Sequence, residues 1–163
     1  MMLLMALSLA AAGDAGLTKH VADLRCGAAD LRVTSHALAG TTAPVAQSLT
    51  RRVGKKRVAV ALEPAGSALV DGHRVRGRYV VSWACLTGAQ RVRYVMLGYN
   101  CAVDPGDPHD CGGEKEWFRL LDTRGRFVDA GVPHDGDRRD RLYARLGIAD
   151  QTAAGVKMAG VLD

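Results

Sequence analysis

Apolar and polar residues alternate along most of the chain with a period of two, the repeat of a β-strand with one face buried. Asp30 to Leu38 reads as one such strand. Arg57 to Leu62 reads as another, with Val58, Val60 and Leu62 on one face, and Pro64 and Gly66 break it. Asp71-Gly72 is a turn signal before the strongest segment, Val75 to Cys101, with Thr87-Gly88-Ala89-Gln90 near its centre. A glycine placed first in a two-residue loop suits a type II′ hairpin turn. With Gly88-Ala89 as the loop, the pairs are Cys85–Val92, Trp83–Tyr94, Val81–Met96 and Tyr79–Gly98 on one face. The other face carries Arg78–Tyr99, Val80–Leu97, Ser82–Val95, Ala84–Arg93 and Leu86–Arg91, a mixed set expected to be only partly covered.

A second hairpin is predicted at Asp122-Thr123-Arg124-Gly125, between Trp117–Leu121 and Arg126–Val128; Asp first and Gly fourth fit a type I turn with a left-handed glycine. One helix follows Pro133. Asp137 or Asp135 is its expected N-cap, Gly147 its stop, and Leu142, Tyr143 and Leu146 its apolar stripe; Arg138, Arg139, Arg141 and Arg145 are expected to face water. A short last strand is expected within 155–162. The fold class read from these elements is β-rich α+β: an antiparallel sheet of five to seven strands, partly covered by one C-terminal amphipathic helix, with two disulfides.

The first twelve residues depart from this pattern. They are uncharged and almost wholly apolar, and too short to span a bilayer, which takes roughly 17 residues or more. Small residues close the run, with Ala10-Ala11-Ala12 and Gly13-Asp14-Ala15 as candidate cleavage sites. Residues 1–15 are therefore expected to be a signal peptide cut after Ala12 or Ala15, and 16–163 a single domain. No Lys or Arg precedes the apolar run. The expected location is periplasmic or secreted, with no membrane-spanning segment.

Four cysteines, Cys26, Cys85, Cys101 and Cys111, fit two disulfides in an exported chain. No C-x-x-C is present, so neither a zinc ribbon nor a thioredoxin-like site is suggested. In the expected hairpin Cys101 opposes Arg76, nine residues along from Cys85. That is about 30 Å at ~3.3 Å per residue, far beyond a disulfide's reach. Two connectivities remain: Cys26–Cys85 with Cys101–Cys111, or Cys26–Cys101 with Cys85–Cys111.

Charge changes the picture little. The formal net charge is +5, and 17 of the 22 basic residues are arginine, a skew that base composition of the genome produces as readily as phosphate recognition. The run Arg51-Arg52-Val53-Gly54-Lys55-Lys56-Arg57 is either a solvated edge that discourages strand pairing or a contact for an anionic envelope surface, which Arg74, Arg76 and Arg78 would extend. It lacks the interleaved aromatic residues of a nucleic-acid site.

The segment from Asp104 to Cys111 is the one cluster of potential metal ligands. Asp104, Asp107, His109 and Asp110 offer three carboxylates and an imidazole, a set open to calcium or zinc, although the spacing is not that of an EF-hand. The same residues serve as ordinary turn formers. No zinc-protease helix, phosphate-binding loop or nucleophile elbow is present; Ser67 lacks the second glycine of an elbow. Glu114 and Glu116 alternate around Lys115 as on a charged edge strand. Trp83, Trp117, Tyr79, Tyr94 and Phe118 fall on strand patterns and are expected in the core, with the domain edge beside the Cys111 loop as the alternative for Trp117.

These readings favour a non-catalytic binding protein of the cell envelope. It would present the Cys101–Cys111 loop to a protein partner, as an inhibitor- or immunity-type protein does to a secreted hydrolase or toxin. The alternatives are a small metal-dependent hydrolase built from Asp104, Asp107, His109, Asp110 and His134, and a structural envelope component.

Overall fold

The alternation is realised in ten strands and one helix in the computed structural model, which describes residues 16–103, 111, 115–129, 136–149 and 158–162. Residues 1–15, expected to be a leader, lie outside this set. Four strands, β1 (Leu17–Cys26), β2 (Ala29–Leu38), β3 (Pro44–Val53) and β4 (Lys56–Val60), form an antiparallel meander in sequence order. A hairpin of β5 (Ser67–Val70) and β6 (His73–Arg76) turns at Asp71-Gly72, where the sequence signal placed it. Strands β7 (Arg78–Thr87), β8 (Arg93–Cys101), β9 (Glu116–Asp122) and β10 (Ala159–Gly160) form a second four-stranded sheet, ordered β10-β7-β8-β9. The expected single sheet of five to seven strands is thus corrected to sheets of four, two and four.

The two larger sheets face each other. Leu31, Val33 and Leu49 from the first pack against Val80, Trp83, Val95 and Leu97 from the second, all fully buried. Each large side chain buried there contributes roughly 1.5–3 kcal/mol. The far side of the second sheet is covered too. Ala84, Leu86, Met96 and Leu120 pack beneath Leu142 of the helix α1 (Gly136–Leu146) and Ile148. The layers run sheet, sheet, helix, and the second sheet is buried on both faces, not partly covered as expected.

The register of β7 and β8 accounts for that difference. Trp83 opposes Leu97 and Leu86 opposes Tyr94, three positions from the expected pairing, so the Trp83–Tyr94 pair does not form. The turn is wider than two residues: Ala89–Arg91 make a 3₁₀ turn with Gln90 and Arg91 at positive φ. Gly88 serves another purpose than a tight turn. A Cβ there would lie 2.5 Å from the Leu146 carbonyl oxygen and 2.8 Å from the Tyr94 ring, so it is glycine because the end of α1 rests on it. A bulge near Val81 adds a further irregularity. Shifting a strand by an odd number of residues exchanges its faces.

Other expectations hold. The second hairpin forms, with Gly125 N–H donating to the Asp122 carbonyl at 2.9 Å and Leu121 bridging Phe127. Gly147, at φ +63°, ends the helix. Its N–H bonds the Ala144 carbonyl at 3.1 Å and that of Ile148 bonds Tyr143 at 2.9 Å, the double closure of a Schellman motif. Asp137 lies inside the first turn and is not the N-cap; Asp135 lies outside the described residues. The disulfides are Cys26–Cys85, which ties the two sheets together at a Cα separation of 5.2 Å, and Cys101–Cys111 at 6.4 Å.

Candidate functional site

Two networks of charged side chains stand out among the described residues, one buried and one exposed. The buried one grows from β9. Alternation points Trp117, Arg119 and Leu121 into the sandwich, so Arg119 enters an apolar layer as a charge. β4 ends at Val60, and the irregular segment 61–66 that follows carries Glu63. Glu63 and Arg119 are both buried and form an ion pair. On its other side Arg119 Nε donates to Asp129 Oδ1 at 2.6 Å, and its guanidinium lies 4.2 Å from the centre of the Phe127 ring.

The second oxygen of each carboxylate is also bonded. Trp117 Nε1 donates to Glu63 Oε2 at 3.1 Å, and the Leu120 amide donates to Asp129 Oδ2 at 3.0 Å. The Glu63 amide donates to Tyr99 Oη at 3.3 Å, and Arg76 Nη2 donates to the Glu63 carbonyl at 3.1 Å. Tyr99 stacks on Trp117 with centroids 5.5 Å apart. Burial pushes the Tyr99 phenol well above its ordinary range, and burial lowers the Arg76 guanidinium. The cluster joins the loop after β4 in the first sheet to β9 in the second.

The exposed network covers the outer face of the first sheet. Arg32 grips Asp23 through two hydrogen bonds of 2.7 and 2.8 Å. Arg52 and Arg57 are direct cross-strand neighbours, a repulsive arrangement by itself. Asp30 lies between them, 2.9 Å from Arg52 Nε and 2.8 Å from Arg57 Nη2. The hydrogen bond and charge of Arg32 hold the Asp23 carboxyl below its usual range against the opposing effect of burial. Burial pushes Asp30 upward, but the hydrogen bonds and charges of Arg57 and Arg52 outweigh it, and its carboxyl also lies low.

The basic run therefore does not form one patch. Arg52 and Arg57 are neutralised on the outer face, Lys55 sits in the β3–β4 turn, and Arg51 lies in register with Leu31 on the opposite face. Arg74 bonds the Ser67 hydroxyl at 2.9 Å, and Arg76 turns back to the Arg78 carbonyl at 2.7 Å. Asp104, Asp107, His109 and Asp110, flanked by the bridged Cys101 and Cys111, lie outside the described residues, as do Glu114 and His134. Among the described residues no group of three His, Cys, Asp or Glu side chains is placed to hold a metal. Trp117 is buried in the Glu63 cluster, in the core with Trp83 and Tyr99 and not at the domain edge.

Sequence reasoning missed Glu63, Arg119 and Asp129. The available signal was Arg119 at an inward position of an otherwise apolar strand, which demands a buried counter-charge. Its partners, 56 and 10 residues away, could not be located from spacing. No family model, curated protein or solved structure matches the chain. No helix among the described residues is long and apolar enough to cross a membrane.

Proposed function

We propose that this is an exported, non-catalytic binding protein of the cell envelope, acting as an inhibitor- or immunity-type partner of a secreted hydrolase or toxin. The observation that carries the reading is the Cys101–Cys111 bridge. Both cysteines are buried, and Cys101 ends the central strand β8, so both ends of the 102–110 segment are pinned to the core. A frame that holds its loop ends fixed lowers the ordering cost of binding. Disulfides persist in oxidising compartments, which supports a periplasmic or secreted location. A contact between an anionic envelope surface and residues 51–57 draws less support, because those cations are dispersed and two of them are already paired.

The test replaces 104–110 with a Gly/Ser segment of equal length, leaving both cysteines in place. Each protein is then titrated with secreted hydrolases and toxins from the same source. The expected result is one enzyme inhibited by the native protein and released by the loop variant. Inhibition that survives the replacement, or no inhibition by the native protein, would overturn the reading. Heat released by calcium or zinc in a calorimetric titration of the native protein, and lost in the variant, would move the assignment to the metal-dependent alternative.

A further inference from the structure

The edge strand β1 lies in the open. It is ten residues long and pairs with β2 on one side, and no strand among the described residues pairs with its other side. Such an edge invites pairing unless its side chains prevent it. The β1–β2 connection has two residues, Gly27 and Ala28, so Cys26 and Ala29 form the closing hydrogen-bonded pair. Counting back by alternation, Lys19, Val21, Asp23 and Arg25 direct their backbone N–H and C=O groups to the free edge. Leu17 and Val21 are apolar yet 45% and 48% exposed, on the same outer face as Lys19, Asp23 and Arg25.

We propose that this edge joins a second copy of the chain, with β1 paired antiparallel to its counterpart about a two-fold axis at Val21. The charge order selects that register. With Val21 opposite itself, Lys19 faces Asp23 of the second copy in both halves, and the exposed valines cover each other. Sliding the pair so that Ala22 is central sets Lys19 opposite Arg25, and centring on Asp23 sets two aspartates together. Like charges directly opposite destabilise a strand pair. Lys19 makes no ion pair among the described residues, whereas Asp23 is held ready by Arg32 and is still half exposed. The far edge of the same sheet differs. β4 has five residues and begins Lys56-Arg57, and its length and charge oppose self-pairing. The product is a continuous eight-stranded sheet closed at two copies.

Sedimentation velocity of the full chain with its disulfides intact tests the proposal. A dimer is expected, weakened by added salt. Lys19→Glu replaces two attractive pairs with two repulsive ones and should raise the dissociation constant about tenfold or more. Val21→Cys chains should link covalently to each other under mild oxidation. Thr18→Cys chains should not, because the register holds those positions about 20 Å apart. A chain that stays monomeric at every concentration, or a dimer unaffected by Lys19→Glu, would overturn the proposal. So would Thr18→Cys chains that link as readily as Val21→Cys chains.

Discussion

Arg119 and Arg32 each meet an aspartate through short hydrogen bonds, at 2.6 Å to Asp129 and at 2.7 and 2.8 Å to Asp23. The side chains of the first pair are 6% and 1% exposed, those of the second 39% and 52%. Similar contact geometry thus stands in two dielectric environments. In the interior an unpaired charge loses its water and finds nothing in return, so removing one partner is severe even where the pair itself adds little net stability. On the surface, water solvates whichever partner remains. Burial of the pair, and not its bond lengths, decides which arginine the fold depends on.

Arg119→Ala should have the largest effect. It leaves Glu63 and Asp129 buried without their cation, and a loss of about 3–5 kcal/mol is expected in urea unfolding. A loss below about 1 kcal/mol would mean that water reaches the cluster. Glu63→Gln keeps an acceptor for Trp117 but removes one charge, and a smaller loss of about 1–3 kcal/mol is expected. If the Gln variant costs as much as Arg119→Ala, the Glu63 charge matters more than the packing of the guanidinium.

The exposed side of the comparison is tested by acid. Asp23, Asp30 and Asp122 all have lowered pKa values; for Asp122, burial pushes upward but bonds from Arg126 and Arg124 prevail. Because the folded values lie below the unfolded one, their stabilisation is present in full above about pH 4. It fades as the pH falls through the lower folded values. Urea midpoints measured downward from pH 5 should decline below about pH 4, and by less in Asp23→Asn than in the native protein. An equal decline in both would remove Asp23 from the acid response. The smallest effect belongs to Arg32→Ala. The urea midpoint should move little, and the difference should vanish in high salt. A large loss that persists in salt would place Arg32 beside Arg119 in kind.

Short-range signals were legible in the residues. The strands at 29–38 and 56–60, the Asp71-Gly72 turn, the Asp122–Gly125 turn and the helix with its Gly147 stop all depend on a few neighbouring residues. Excluding Cys85–Cys101 left two disulfide pairings, of which the structure holds Cys26–Cys85 with Cys101–Cys111, and that exclusion survives the change of register. Cys85 opposes Val95, six positions from Cys101 on β8. Gly88 was misread because a glycine needed for close approach has the same spelling as one needed for a turn. Glu63 and Asp129 gave no signal of their own, since an isolated acidic residue in a loop is ordinarily solvated.

Local pattern set the β-rich class, the helix and the turns at Asp71-Gly72 and Asp122–Gly125, because the period of alternation, the turn glycines and the helix stop act over a few residues. Long-range packing decided that the strands divide into facing sheets, which register β7 and β8 take, and that Arg119 is clamped between Glu63 and Asp129. Each of those outcomes turns on which distant segment covers a given face. That is settled by the free energy of burying the whole surface, and no local pattern encodes it.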